Sequence, residues 1–585
     1  MPPTIPSQAE DVSVVTTDVL IIGAGAAGLR AAIELHEAGR DVLAIGKRKH
    51  GDAHTVWAAG GINAALGSLD PEDRWDIHAA DTLNEGHHVN NAQAVELLAR
   101  HAPERVRELD RWGADFSKTE EGEINQRYFG AQSFRRTCFK GDITGRAILE
   151  ALVAQAKRLE IPYRQDTFIT EILVDDGRAV GAIGYDMNTG DVLVFHANAV
   201  ILAAGGHTSV YVRSSSRSDE NTGDAQTLAY NAGAVLRDME FVQFHPTGKL
   251  WPEDQRGELV TEAVRGEGGR LFNSERERFM ERYSPKQMEL DARDVVARAG
   301  YAEIQAGRGT PNGGVWLDIS HRDSDYVRDR LPRMVQEFAD VGVDITEEPM
   351  EVAPTAHYAM GGVEITDFET CATTVDGLYA AGESVAGVHG ANRLGGNSLA
   401  ETVVFGQIVG AHLAGNLPER VQISDDCVNE ALGRIRRLAE SAGQHEPEAL
   451  IERLRRVMWD HAGIIRDEDG LIEGLAKLEA LRRDAEDLNV QAAPGNEQFE
   501  QAINLHFMMT ACEAILRSAL ARTESRGAHF RSDYPDTVSG WRKNVQVCRS
   551  SDGEMALDSA PATEPTPSVQ QALKEEHELD YHHLE

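Results

Sequence analysis

Asp18-Val-Leu-Ile-Ile-Gly-Ala-Gly-Ala-Ala-Gly28 is the stretch that decides the fold. Asp18 to Ile22 reads as a short buried strand, and Gly23-Ala24-Gly25-Ala26-Ala27-Gly28 as the turn that follows it. Leu29 to Ala38 is helical in character, Gly39 stops the helix, and Asp41 to Ile45 supplies a second strand. A Gly-x-Gly-x-x-Gly turn between strand and helix is a dinucleotide cradle. Its first glycine permits the tight turn, the second lets a pyrophosphate approach the backbone, and the third lets helix and strand pack closely. The helix N-terminus then presents unpaired N–H groups to the phosphates. An NAD site of the usual kind would also place Asp or Glu at the end of the second strand. That position reads Ile45-Gly46-Lys47, which speaks against NAD and leaves FAD open.

Working outward, two further apolar runs each end at a glycine, Val200-Ile-Leu-Ala-Ala204 and Gly377-Leu-Tyr-Ala-Ala381. Strands so far apart in one sheet require another domain between them. A chain of 585 residues is in any case too long for a single core. The expected fold is α/β: a doubly wound, Rossmann-like dinucleotide-binding domain over 18–244 and 354–424, with an α+β capping domain inserted at 245–353. From 425 to 535 the apolar period turns helical, with Ile451, Leu454, Val457 and Met458 on one face and Leu471, Leu475 and Leu478 on another. Residues 1–17 read as an N-terminal extension and 536–585 as a C-terminal region with an acidic tail. Beyond Ser550 the composition turns to Ser, Pro, Thr and Glu. Such a stretch has too few apolar residues to offset its ordering entropy, and is expected to lie over the surface or be disordered.

Composition excludes several function classes. No run approaches the roughly 18 apolar residues of a membrane-spanning helix, and Met1–Thr17 has neither a basic nor an apolar targeting region. The expected place is the cytoplasmic face of a membrane, reached through partners. Asp and Glu number 95 against 58 Lys and Arg, a net charge of −37 that disfavours nucleic acid and anionic lipid. The excess is spread along the chain, as in proteins adapted to a salt-rich cytoplasm. Five cysteines, Cys138, Cys371, Cys427, Cys512 and Cys548, form no C-x-x-C pair. Iron–sulfur ligation within this chain is therefore not expected, and no residue set reads as a metal site.

His54-Thr-Val-Trp-Ala-Ala-Gly-Gly-Ile-Asn-Ala-Ala-Leu-Gly67 resembles the flavin-linking segment of the succinate dehydrogenase/fumarate reductase flavoprotein family. The resemblance runs from about Asp18 to about Pro535. It takes in Phe244-His-Pro-Thr-Gly248, Thr261-Glu-Ala-Val-Arg-Gly-Glu-Gly-Gly269, Arg293-Asp-Val-Val-Ala-Arg298 and His357-Tyr-Ala-Met-Gly-Gly362. It continues through Ala381-Gly-Glu383, His389-Gly-Ala-Asn-Arg-Leu-Gly-Gly-Asn-Ser-Leu399 and Glu524-Ser-Arg-Gly-Ala-His-Phe-Arg531. In this family Ser-Lys commonly replaces the ribose-binding acid, so Gly46-Lys47 is a variant of that pattern. Departures are few: the family often has Cys where Val264 stands and Gln where Ala59 stands.

The resemblance implies oxidation of succinate to fumarate by hydride transfer to FAD. Electrons would pass to an iron–sulfur subunit, with membrane-anchor subunits completing the complex. It implies that His54 is covalently bonded to the flavin 8-methyl group. It carries cofactor contacts over to Gly23, Ala24, Gly25, Ala26, Ala27, Gly28, Gly46, Lys47, Thr55, Gly60, Gly61, Asp224, Glu383, Asn397, Ser398 and Leu399. Arg293 becomes the proton acceptor, with Glu262 and Arg265 as its relay, and His245, Thr261, His357 and Arg393 hold the substrate. The residue types suit that task. A small dianion needs cations and donors around two carboxylates, and a guanidinium fork matches a carboxylate with two bonds. Free arginine is nevertheless a poor base, with a pKa above about 12. Read alone, Arg393 would be a surface ion pair, Glu262 and Arg265 a salt bridge three residues apart, and each histidine a core residue. Fumarate reduction uses the same residues in reverse. An L-aspartate oxidase resembles the chain but lacks the flavin-linking histidine, and a non-catalytic flavin sensor would need a broken site.

The charge of −37 generates a prediction of its own. Unscreened repulsion at low ionic strength should loosen the fold. Thermal unfolding midpoints should rise steeply from dilute buffer to molar salt, whereas a flat midpoint would leave the acidity unexplained.

Overall fold

The computed structural model describes residues 5–575 of the chain. Its frame is a seven-stranded sheet in which strand Ser13–Ile22 lies parallel between Val42–Ile45 and Val192–Leu202. Tyr163–Arg164 continues the sheet beyond Val42–Ile45, and Leu378–Ala380 joins Val192–Leu202 in parallel, with Leu378 opposite Val200. The two apolar runs that end at glycine thus share one sheet. Arg178–Asp186 and Thr167–Asp175 extend its other side as antiparallel strands. Val19, Leu20 and Ile21 are fully buried, because helix Ala26–Glu37 covers one face and packs in turn on helix Asn397–Gly415.

The first strand starts five residues before Asp18, inside the stretch read as an N-terminal extension. Ser13 through Thr17, β-branched from Val14 onward but mostly exposed, lie outside the buried apolar run that marks the rest of the strand. They pair because Val192–Leu202 is long enough to offer backbone partners from Leu193 onward.

The inserted region has its own antiparallel sheet, ordered Val242–Lys249, Met350–Ala359, Val315–Asp318, Arg270–Phe272. Helices Arg293–Glu303, Ser324–Arg330 and Pro332–Ala339 belong to the same region. A second hydrophobic core, built on Val260, Phe279, Leu317, Met334 and Val352 among others, is separate from the main one. Beyond it come helices Asp425–Ala439, Pro447–His461, Glu468–Ala485 and Glu497–Ala521.

The C-terminal region departs from expectation in part. Beyond Ser550 the chain lies over the surface in regular form: strand Met555–Pro561, mostly exposed, pairs along its whole length with Lys543–Arg549. That strand pairs in turn with Leu236–Arg237 of the flavin-binding domain. Helix Pro567–Ala572 then inserts Val569 against Ala79, Leu83, Val95 and Ala99. A backbone ladder depends little on side-chain hydrophobicity, and three apolar side chains, Val569, Ala572 and Leu573, hold the helix, so composition misleads here. The acidic residues 576–585 lie outside the described residues.

Candidate active site

One elongated cavity, of ≈ 1770 Å³ with its open mouth included, runs from the glycine turn into the seam between sheet and inserted region. At its outer arm Gly23 sits at φ +105°, and a Cβ there would meet the Ala203 carbonyl oxygen at 2.1 Å. Ala24, Gly25, Ala26 and Ala27 line the wall. Gly28 does not; a Cβ on it would lie 1.9 Å from the Gly23 carbonyl oxygen, so its role is close packing. Gly25 caps the helix without a side chain, and the Thr55 hydroxyl accepts from Ala26 N at 3.3 Å. A bare helix N-terminus walled by alanine and glycine fits an extended dinucleotide.

Lys47 Nζ lies 2.5 Å from Asp224 Oδ2 and 3.9 Å from the Phe168 ring centroid, so two expected cofactor contacts bind each other at the rim. At Gly46 a Cβ would meet the Tyr163 hydroxyl at 2.4 Å. Tyr163 takes up the space in which the family commonly carries serine, a substitution that local sequence could not explain. Farther in, His54, Thr55, Gly60, Gly61, Glu383, Ser398 and Leu399 line the cavity. Asn397 does not, because its side chain bonds Asn63, Thr82 and His78 beneath the wall. The Glu383 carboxylate accepts from Ala359 N at 3.0 Å, and burial pushes its pKa up to about 7.

The inner end holds the charged residues. Arg293 opens the first turn of its helix and grips Glu262 with Nε at 2.7 Å and Nη2 at 2.6 Å. Arg265 lies behind, fully buried and off the cavity wall, with Nη2 3.7 Å from the same carboxylate oxygen. Burial would raise the Glu262 carboxyl, but Arg293 and Arg265 hold it down at about 2. Arg393 donates to Ser398 at 3.2 Å, lies over the Tyr358 ring at 4.6 Å, and has no acidic partner among the described residues. Burial, reinforced by the charge of Arg293, lowers its guanidinium to about 9.

His245 and His357 face each other with ring centroids 5.2 Å apart. Burial first, then neighbouring charge, keeps both well below the ordinary histidine value, so both are neutral. His245 Nδ1 accepts from the Thr247 backbone N–H at 3.2 Å and lies 3.3 Å from the Thr247 carbonyl oxygen; the N–H can only donate, which assigns the ring proton to Nε2. That Nε2 is buried without a partner, and so is Arg393 Nε. His357 Nδ1 is tied to the Ser215 hydroxyl at 2.9 Å, and Thr261 lines the wall beside them. Two buried donors without acceptors, beside neutral donor rings and cations, make a receptor for carboxylate oxygens.

Sequence reading missed the residue that joins the two cations. Gln243 Oε1 accepts from Arg293 Nη1 at 3.1 Å and from Arg393 Nη2 at 3.0 Å. Its amide nitrogen donates to Asn392 Oδ1 and to the Arg393 carbonyl, which fixes the orientation. The available signal was strand alternation, since Gln243 stands two residues before His245. Glu220 was also missed; its Oε2 lies 3.5 Å from His54 Nδ1.

Known proteins share this architecture. The family model described as an FAD binding domain matches residues 18–399, and that of the fumarate reductase flavoprotein C-terminus matches 451–574. A fumarate reductase (CoM/CoB) polypeptide of Methanothermobacter marburgensis is 44% identical over 91% of this chain and 97% of its own. The succinate dehydrogenase flavoprotein subunit of Rickettsia bellii is 37% identical over 93% and 95%. Among solved structures, Mycobacterium smegmatis Sdh1 with UQ1 has a TM-score of 0.85 at 40% identity, covering 95% of this chain and 96% of that one. A variant of E. coli quinol fumarate reductase has a TM-score of 0.88 at 33% identity, covering 95% and 99%.

The Gln243 bridge is open to a direct test. Gln243→Glu sets a carboxylate between Arg293 and Arg393, where it satisfies both cations and repels a dianion. The dissociation constant for malonate, read from the flavin absorbance change, should rise by roughly two orders of magnitude. Unchanged affinity would mean that neither arginine meets the dicarboxylate.

Proposed function

This chain belongs to the succinate dehydrogenase/fumarate reductase flavoprotein family, and from that membership we propose that it oxidises succinate to fumarate. One observation carries the reading. Arg265 and Arg293 share Glu262 while Arg393 has no acidic partner among the described residues, so the inner end carries two positive charges in excess. Succinate is a dianion of matching charge.

Bound FAD supplies a two-electron acceptor for a hydride leaving one methylene carbon of the substrate. The chain's own residues bind, orient and move the proton. Arg393 and His245 Nε2 take one carboxylate, and Thr261 with His357 the other. Arg293 gives a guanidinium proton to Glu262 Oε2 across the 2.6 Å contact, with Arg265 behind, and so becomes able to take the proton leaving the neighbouring methylene. Arginine can serve here because Glu262 already holds it at two nitrogens, so the proton moves on without crossing open space. His54 would bond the flavin 8-methyl group, raising the potential in the direction that succinate oxidation needs. Electrons would leave for an iron–sulfur subunit, with membrane-anchor subunits holding the assembly at the cytoplasmic face. The flavoprotein-subunit relatives support that, as does the absence of any C-x-x-C pair. No described helix is long and apolar enough to cross a membrane.

Fumarate reduction is the second reading, favoured by the name of the 44% identical relative. Comparing succinate oxidation by an artificial acceptor with fumarate reduction by a reduced viologen decides the direction. Faster oxidation is expected, and a large excess of reductase activity would overturn it.

The two arginines should fail differently. Arg293→Lys removes a group needed only as the proton moves, so kcat should collapse while malonate binding largely survives. Arg393→Ala leaves a buried carboxylate without its partner and should weaken binding by about 3 kcal/mol. Near-normal turnover in Arg293→Lys would assign the proton to another group.

A further inference from the structure

Glu220 stands in the loop just before Thr222-Gly223-Asp224 and belongs to no motif legible in the sequence. Its Oε2 and His54 Nδ1 face each other at 3.5 Å, and both atoms are buried with no hydrogen-bond partner among the described residues. Two such atoms would each carry a desolvation cost unless they act on one another. The carboxylate is fixed from behind. Arg217 donates to Oε1 and also holds Asp52 at 2.8 Å, while Arg48 Nε lies 3.3 Å from Oε1. Asp219 pairs with Arg48 farther out, leaving Glu220 as the acid directed at the ring. About a quarter of the His54 side chain, 26%, is open, and it opens on the cavity. With Nδ1 turned to the acid, Nε2 is the nitrogen left to the cofactor.

We propose that Glu220 is the positioning residue for flavin attachment: it holds the His54 proton on Nδ1, so that Nε2 offers its lone pair to the 8-methyl carbon. It also balances the positive charge that the imidazole acquires as the bond forms. An acid behind a histidine does both things elsewhere in enzyme chemistry. The inference rests on the covalent reading of His54.

Atoms and electrons balance in the attachment step. A bond forms between Nε2 and the methyl carbon, and one C–H bond of that methyl breaks, its hydrogen leaving as a proton. The carbon is oxidised by two electrons, and the isoalloxazine ring of the same FAD is reduced by those two. The imidazolium then releases its Nδ1 proton past Glu220, and the reduced ring takes up protons in place of the two lost. Fumarate, the oxidised partner in the proposed reaction, reoxidises the ring.

Other charges bear on the ring. Burial alone would lower His54, and Glu220 overrides it with help from Glu383, against Arg217, so its pKa stands above the ordinary value. His357 also faces it across the cavity, and Arg48 and Asp52 lie behind Glu220. Attachment needs a neutral ring, so its rate should climb as pH rises through that raised pKa and then level off. Removing the carboxylate lowers both the midpoint and the plateau.

The test uses the full chain without flavin, supplied with FAD and fumarate. Attachment is read as flavin fluorescence on the acid-denatured polypeptide, and occupancy separately from absorbance before denaturation. Wild type should link its flavin with a pH midpoint above about 6.5. Glu220→Gln should take up FAD yet link it roughly 100-fold more slowly, with the midpoint moved to lower pH. Glu220→Asp should recover much of the rate. Glu220→Gln linking at the wild-type rate and midpoint overturns the inference while the covalent reading stands. Should that variant fail to take up FAD, a wild-type midpoint at or below about 6.5 overturns the inference by itself. Wild type that never links flavin overturns the covalent reading, and this inference with it.

Discussion

Two guanidiniums, Arg293 and Arg393, both buried, converge on the single amide oxygen of Gln243, at 3.1 and 3.0 Å. Like charges held so close repel by several kcal/mol even with generous screening. The surroundings are arranged against that repulsion. Glu262 Oε2 takes both Nε and Nη2 of Arg293, Tyr358 lies under Arg393, and Asn392 locks the glutamine so that its oxygen, not its nitrogen, meets the cations. What repulsion remains is what the proposed dianion would relieve.

The arrangement also depends on parts far apart in the chain. Arg293 comes from a helix of the inserted region and Arg393 from the glycine-rich loop ahead of helix Asn397–Gly415. Gln243 sits on the strand that enters the inserted sheet, next to Met350–Ala359, which carries His357. These two strands carry the chain into and out of the inserted region, and the site is complete only where they meet. The cavity then puts the glycine turn and the charged end on one continuous wall, with His54 and Glu383 midway.

Buried ion pairs recur as supports. Arg136 is fully enclosed between Asp73 and Asp81, and Arg522 between Glu240 and Glu524. Such pairs add little net stability over an apolar packing, but breaking one is costly, so they favour one arrangement over its neighbours. Arg522 also donates to the carbonyls of Trp541 and Lys543, which aligns the C-terminal strands on the flavin-binding domain. In a chain with 95 acidic residues, the minority of basic ones that are buried orient the interior.

What the sequence determined by itself was chemistry of short range. The strand–turn–helix at Asp18 to Ala38 follows from apolar runs and glycine spacing, and Glu262 and Arg265 are neighbours because three residues make almost one helical turn. The tertiary structure decided the rest. Gln243 is one polar residue in a strand until Arg393, 150 positions away, reaches its oxygen. Glu220 is an ordinary loop acid until His54 closes over it, and Tyr163 explains Gly46 only once the two strands lie side by side. The C-terminal strands order through backbone pairing that leaves no trace in composition. Each case has one cause: a charge, an unpaired donor or a missing Cβ acquires meaning from the atom it meets, and the fold chooses that atom.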